Sequence, residues 1–102
     1  MVAHNMELPK EKIADFCRRH HIRRLAFFGS VLREDFRPES DVDVLVEFEP
    51  RHVPGFIALY AIEAELSAIL GGRKVDLVTP GFLNHRIRQR VLAEAEVAYA
   101  EG

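Results

Sequence analysis

The sequence has very little cysteine and no long apolar run. Its one cysteine, Cys17, has no CxxC neighbour, which excludes an internal disulfide and is typical of a reducing compartment. No apolar stretch approaches the roughly 20 residues that a membrane-spanning helix needs. The first residues also lack the apolar core of a secretory signal. We therefore expect a cytoplasmic protein with no membrane partner.

An excess of charge of one sign is also missing. The 102 residues include 14 basic and 16 acidic side chains, a formal net charge of -2, so no global field draws the chain to nucleic acid or to an acidic membrane. We accordingly expect no direct binding of nucleic acid. Repeats, low-complexity tracts and linkers are absent as well. The length predicts a single domain over residues 1–102, with residues 1–7 expected to be flexible.

Hydrophobic periodicity predicts helices that alternate with strands. The predicted helices are Leu8–His20, Pro54 to about Leu70, and Phe82 to about Ala95. The predicted strands are Ile22–Phe28, Asp41–Phe48, Arg73–Val78 and a short final strand over Val97–Tyr99, with a turn or short helix over Ser30–Arg33. This order indicates an α/β (α+β) chain in which helices cover a sheet.

The clearest strand carries two carboxylates on one face. Asp41 and Asp43 lie two residues apart, so their Cα atoms are about 6.6 Å apart on the same side of the strand. Two ionised carboxylates this close repel each other unless a cation or a shared proton offsets the repulsion. Mg²⁺ is the natural partner, because it takes oxygen ligands and is commonly bound by one or two carboxylates plus substrate phosphates.

A Gly-Ser pair stands ten residues before these carboxylates, at the end of the preceding strand. Gly29 can adopt backbone angles that other residues avoid, and it lets a phosphate approach the main chain closely. Ser30 offers a hydroxyl and begins a turn whose backbone N–H groups can hold an anion. The combination indicates phosphoryl or nucleotidyl transfer from a triphosphate.

Asp76 is the best candidate for a third carboxylate. It lies between Val75 and Leu77 on a predicted strand, and a charge in an otherwise apolar strand requires a reason. A third ligand would complete a two-metal site that clamps the attacking and leaving oxygens. A solvent-facing or salt-bridged aspartate is the competing interpretation.

Asp-x-Asp by itself is a weak signal, because aspartates on the wet face of a strand are common. The full pattern of Gly29-Ser30, ten residues and Asp41-Val42-Asp43 is far more restrictive. Average residue usage gives it a chance occurrence on the order of once in a thousand chains of this length. The spacing therefore favours a site over a solvated strand face.

This pattern resembles the signature of nucleotidyltransferases of the DNA polymerase β superfamily. The likeness continues through Asp41–Pro50, Arg73–Pro80 and Leu83–Tyr99, and it covers nearly the whole chain from Leu8 to Tyr99. The downstream segments look like the minimal nucleotidyltransferases, often called MNT. The resemblance implies a small mixed β-sheet packed with helices, and the transfer of AMP from ATP to a hydroxyl with Mg²⁺.

The resemblance also implies roles for individual residues. Asp41, Asp43 and Asp76 occupy the metal-binding and catalytic positions, where two Mg²⁺ ions are expected. Gly29 and Ser30 occupy the phosphate-binding positions. Arg33 stands where many relatives carry a basic residue and could reach the triphosphate; an exposed loop arginine is equally compatible.

Minimal members of this family are often antitoxins paired with a helical HEPN-domain ribonuclease toxin, and some are thought to adenylylate a tyrosine of the toxin. The resemblance therefore implies a HEPN partner and a hetero-oligomer. Two alternatives remain open. One is a non-catalytic antitoxin that neutralises the toxin by binding it, and the other is a transferase acting on a small molecule whose acceptor site a partner supplies.

Other polar residues carry less information. The five histidines lack the partner spacing of a zinc site, and His20-His21 is expected to cap a helix. Arg86, Arg88 and Arg90 fit a solvated helix face, and a patch for a partner or RNA is the alternative.

Overall fold

The computed structural model describes residues 2–3, 6–7, 9–29, 40–82 and 85–101, which form three helices and six strands. The helices are α1 (Lys10–Arg19), α2 (Phe56–Ile69) and α3 (His85–Glu94). The strands are β1 (Val2–Ala3), β2 (Met6–Glu7), β3 (Ile22–Phe28), β4 (Val42–Phe48), β5 (Val75–Val78) and β6 (Glu96–Ala100). Short 3-10 turns over Pro50–His52 and Pro80–Phe82 follow β4 and β5.

Four of the strands form one mixed sheet in the order β5-β4-β3-β6. β3 runs antiparallel to both β4 and β6, whereas β4 and β5 are parallel. The parallel connection is made by α2, because parallel strands need a long crossover. The predicted small mixed sheet with helices is thereby confirmed.

The two faces of β4 differ as the alternation predicts. Val42, Val44, Val46 and Phe48 are buried and join the core formed with α1 and α2. Asp43 and Glu47 point to the opposite face and are half-buried. On that second face Leu45 is also buried, opposite Ala26 of β3. The face of the sheet that carries the carboxylates therefore also contains a buried apolar pair, Ala26 and Leu45.

Helix boundaries follow local chemistry. α2 begins after Gly55 and ends before Gly71 and Gly72, whose φ angles are +79° and +85°. These left-handed glycines terminate the helix as predicted. α3 begins three residues later than predicted, because the Pro80–Phe82 turn precedes it, and residues 83–84 of the predicted range lie outside the described residues.

Two features of the N-terminal part bear on the sequence predictions. β1 and β2 pair antiparallel as a short two-stranded sheet that the pattern did not indicate, and the flexibility of residues 1–7 stays a prediction. Cys17 is fully buried in the core, and this burial raises the pKa of its thiol to about 12. None of the helices in the described part of the chain is both long and apolar enough to cross a bilayer.

Candidate active site

Strand register brings two of the predicted carboxylates directly together. Asp43 of β4 pairs with Asp76 of the parallel strand β5. Asp43 also pairs with Phe28, the last residue of β3, which places Gly29 immediately beside it. Residues from three neighbouring strands therefore meet around one carboxylate, although 14 and 33 sequence positions separate Gly29 and Asp76 from Asp43.

Gly29 and Asp43 are in such close contact that a side chain would not fit between them. A Cβ atom on Gly29 would overlap the Oδ2 atom of Asp43 and would lie 3.2 Å from its Cγ atom. The φ angle of Gly29 is +72°, in the left-handed region that favours glycine. Both conformation and space therefore require glycine where the chain leaves β3 toward Ser30.

Asp41 and Asp76 open onto a common cleft. Both are exposed, and they line a cleft of about 430 Å³ together with Lys74, Glu63 and apolar residues. The apolar lining residues are Phe56, Leu59, Tyr60, Val75 and Leu77. This volume falls in the range of small-molecule sites. Mixed acidic, basic and apolar walls suit a phosphorylated ligand or a protein side chain better than an apolar molecule.

The candidate site gathers several acidic side chains. Like charges directly opposite each other on neighbouring strands are destabilising, and Asp43 and Asp76 are such a pair. The cleft itself is lined by the carboxylates of Asp41, Glu63 and Asp76, and among the described residues Lys74 is its basic lining residue. A ligand that brings divalent cations would relieve this repulsion.

Glu63 belongs to the site although the sequence pattern did not single it out. Its Oε2 atom accepts a hydrogen bond of 2.9 Å from the backbone N–H of Leu77. β5 is an edge strand, so this N–H has no partner strand on that side. Glu63 thereby holds the residue next to Asp76. The sequence feature that could have indicated Glu63 as a site residue is its position directly after seven nonpolar residues of α2.

Two predicted site residues cannot be placed. Ser30 and Arg33 lie outside the described residues, so their roles stay predictions. Of the arginines of α3, Arg86 and Arg90 are exposed and Arg88 is half-buried, and Arg90 Nε lies 3.8 Å from Glu94 Oε1. This pair favours the solvated helix face for Arg90.

A second cluster of possible metal ligands lies at the other end of the sheet. His21 Nδ1 lies 3.2 Å from Glu49 Oε2, and the rings of His21 and His52 stack with centroids 3.7 Å apart. Six residues of strand separate Glu49 from Asp43, or about 20 Å. The ring planes differ by 10°, so their in-plane nitrogen lone pairs do not converge. The cluster is distinct from the predicted site.

Three comparisons relate the chain to known proteins. A family model described as a nucleotidyltransferase domain matches residues 10–98. The protein adenylyltransferase MntA of Thermococcus cleftensis is 36% identical, and the match covers 92% of this chain and 84% of the relative.

Two solved structures share the fold. One, of a candidate minimal nucleotidyltransferase, is 36% identical with a TM-score of 0.70 and covers 84% of this chain and 85% of that one. The other contains tri-AMPylated Shewanella oneidensis HEPN toxin in complex with MNT antitoxin. It is 22% identical with a TM-score of 0.65, covers 89% of this chain and 69% of that one, and shows likeness of fold.

Proposed function

The chain belongs to the nucleotidyltransferase domain family, and from this membership we propose that it transfers AMP from ATP to a hydroxyl of a protein partner. The observation that carries the proposal is the placement of Asp43 against both Gly29 and Asp76. This arrangement puts the residue that precedes the predicted phosphate-binding turn beside two paired aspartates, which would hold the cations of a triphosphate.

The residue types fit Mg²⁺. Asp41 and Asp43, at the start of β4, and Asp76, on the edge strand β5, supply the hard oxygen ligands that this ion prefers. We propose that Asp41, Asp43 and Asp76 hold two ions together with the phosphates of ATP. When bound, Mg²⁺ would neutralise phosphate charge and polarise the phosphoryl oxygens.

The protein residues would then act mainly by position. Gly29, whose left-handed backbone favours glycine, would lead the chain from β3 into the phosphate-binding turn, where Ser30 would donate its hydroxyl and backbone N–H groups. Arg33 would bind the triphosphate through its guanidinium. The acceptor hydroxyl forms a bond to the α-phosphorus as the bond to the bridging oxygen breaks and pyrophosphate leaves. A carboxylate oxygen of Asp76 would accept the hydroxyl proton.

A protein acceptor is favoured by the Thermococcus relative, which is named a protein adenylyltransferase and matches most of both chains. We propose that the partner is a HEPN-family toxin and the acceptor one of its tyrosines. The fold shared with the antitoxin of the Shewanella complex, whose toxin is AMPylated, supports this identity. The chain would thus act as an antitoxin.

The test is intact mass spectrometry of the cognate HEPN-family protein after incubation with this chain, ATP and Mg²⁺. We expect mass increments of AMP with the wild type and none with Asp43→Asn. Glu47→Gln is the matched control, since Glu47 lies on the same strand and the same face and should retain transfer.

The alternative outcomes are equally informative. Inhibition of the toxin without added mass would establish neutralisation by binding alone. Neither modification nor inhibition would overturn the HEPN assignment and would leave small-molecule hydroxyls as acceptors to screen.

A further inference from the structure

The first half of α2 exposes large apolar side chains to solvent. Phe56 is 71% exposed, Ile57 90% and Tyr60 76%, and Val53 just before the helix is 66% exposed. We call these four residues the α2 shoulder. The other large apolar side chains exposed in the described part of the chain, Leu92 and Val97, are only 44% and 43% exposed. Four of these six exposed apolar side chains thus fall within residues 53–60.

The sequence of α2 explains why the shoulder exists. Residues 56–62 are all nonpolar, so this part of the helix is apolar on every side. The inner side of α2 packs into the core, where Ile62 and Leu66 are buried and Leu59 packs against the core cluster. A helix that is apolar all round is normally buried all round. The outer side of this helix segment is therefore exposed to solvent, although its apolar composition is typical of a buried surface.

The shoulder is continuous with the candidate active site. Phe56 and Tyr60 belong to it and also line the cleft that holds Asp41 and Asp76. A molecule packed on the shoulder would extend directly over these carboxylates. Aromatic side chains are also the residues most often found at the energetic centre of protein interfaces.

We propose that the α2 shoulder is the docking surface for the acceptor protein. The inference rests on the proposed function and adds the recognition chemistry: the partner presents an apolar stripe that covers Ile57 and Val53, next to the hydroxyl side chain that enters the cleft. An acceptor is favoured over a second copy of this chain because the shoulder and the cleft share walls. A second copy seated here would cover the cleft and exclude the acceptor.

The test uses residues of the shoulder that do not line the cleft. Val53→Ser/Ile57→Ser removes two exposed apolar side chains and leaves every lining residue of the cleft in place. Leu92→Ser/Val97→Ser is the matched control, because it removes two exposed apolar side chains elsewhere. Dissociation constants for the cognate HEPN-family protein are measured without ATP. Binding of Mg²⁺-ATP to each variant is measured separately.

We expect the shoulder variant to bind the HEPN-family protein at least tenfold more weakly, as truncation of interface anchors commonly does. Its affinity for Mg²⁺-ATP should stay within twofold of wild type, and the control variant should match wild type in both assays. In the transfer reaction, KM for the protein acceptor should rise while kcat is retained, which is the signature of lost binding outside the reacting centre.

Each other outcome is decisive. Unchanged affinity of the shoulder variant for the partner would overturn the docking surface and leave the proposed activity intact. A wild-type dimer that Val53→Ser/Ile57→Ser dissociates, with partner binding unaffected, would assign the shoulder to a second copy. Shoulder-dependent binding without AMP transfer would overturn the activity and retain the docking surface. No binding of the wild type to the HEPN-family protein would overturn both.

Discussion

The carboxylate of Asp43 lies so close to Gly29 that it leaves no room for a Cβ atom at position 29. The carboxylate at the centre of the site therefore depends on a glycine contributed by the neighbouring strand. This relationship joins the end of β3, where the predicted phosphate-binding turn begins, to the strand that carries the predicted metal ligand Asp43.

Gly29→Ala should abolish AMP transfer. The new Cβ atom would displace the Asp43 carboxylate, and the left-handed backbone would add strain of about 1–2 kcal/mol. Gly71→Ala separates the two effects, because Gly71 has φ +79° and an added Cβ would meet nothing within 4 Å. Thermal unfolding and transfer assays should show similar destabilisation in both variants and lost activity only in Gly29→Ala. Full activity in Gly29→Ala would refute the steric argument.

Asp76→Asn should stabilise the metal-free protein slightly while it abolishes transfer. The substitution removes one of two like charges on paired residues of parallel strands, and because Asp76 is exposed the gain should be below about 1 kcal/mol. The wild type should gain melting temperature on addition of Mg²⁺ and ATP, and Asp76→Asn should gain less. Thermal melts with and without Mg²⁺-ATP measure both effects. Equal gains in the two proteins would remove Asp76 from the metal-binding set.

Glu63→Ala should loosen β5 and reduce transfer, because the Leu77 N–H loses its acceptor at 2.9 Å. The expected cost is about 1 kcal/mol in the free energy of unfolding. Glu63→Gln keeps a carbonyl oxygen and should restore both stability and activity. Hydrogen exchange at the Leu77 amide gives the direct measurement: faster exchange in Glu63→Ala and near-normal exchange in Glu63→Gln. Failure of glutamine to rescue would assign Glu63 a role through its charge.

Glu65 should make stability depend on pH in the acid range. The Arg19 guanidinium, whose Nη2 lies 2.6 Å from Glu65 Oε2, holds the pKa of that carboxyl below its ordinary value of 4.5, and His20 contributes at 3.0 Å. Because the pKa is lowered in the folded state, the stabilisation is complete above pH 4.5 and is lost as pH falls through the lowered pKa. The pair is one-third to one-half exposed, so we expect about 0.5–1 kcal/mol.

Urea unfolding of wild type and Glu65→Gln measures this contribution. The difference in the free energy of unfolding should be largest near pH 7 and should shrink as the pH falls below 4.5. Glu94→Gln is the control, because Glu94 and Arg90 are both largely exposed and 3.8 Å apart, and it should change stability little at any pH. A difference for Glu65→Gln that is constant with pH would contradict the assignment.

Much of the fold was predictable because its signals are local. Alternation along residues 42–48 reports which side chains face the core, and the Gly71-Gly72 pair ends α2 through its own backbone preference. Boundaries were less predictable where a turn competes with a helix, as at Pro80–Phe82. Asp41 and Asp43 were predicted from their spacing along one strand and Asp76 from its position between apolar residues, and their catalytic roles stay predictions.

Contacts between segments far apart in the chain could not be predicted from such local sequence patterns. The pairing of Asp43 with Asp76 depends on the register of parallel strands joined through α2, and the stacking of His21 on His52 joins residues 31 positions apart. Glu63 appeared in the sequence as one charge after an apolar run, and only the edge position of β5 makes it a backbone acceptor.

The amino-acid pattern alone thus determined the element types, the buried face of β4 and the glycine–carboxylate spacing, since each depends on neighbours along the chain. The tertiary structure decided which carboxylate lies against Gly29, which groups share a cleft, and that the α2 shoulder remains exposed beside it. The physical reason is that strand register and helix packing are set by burial of the whole core, and they determine distances that no local segment encodes.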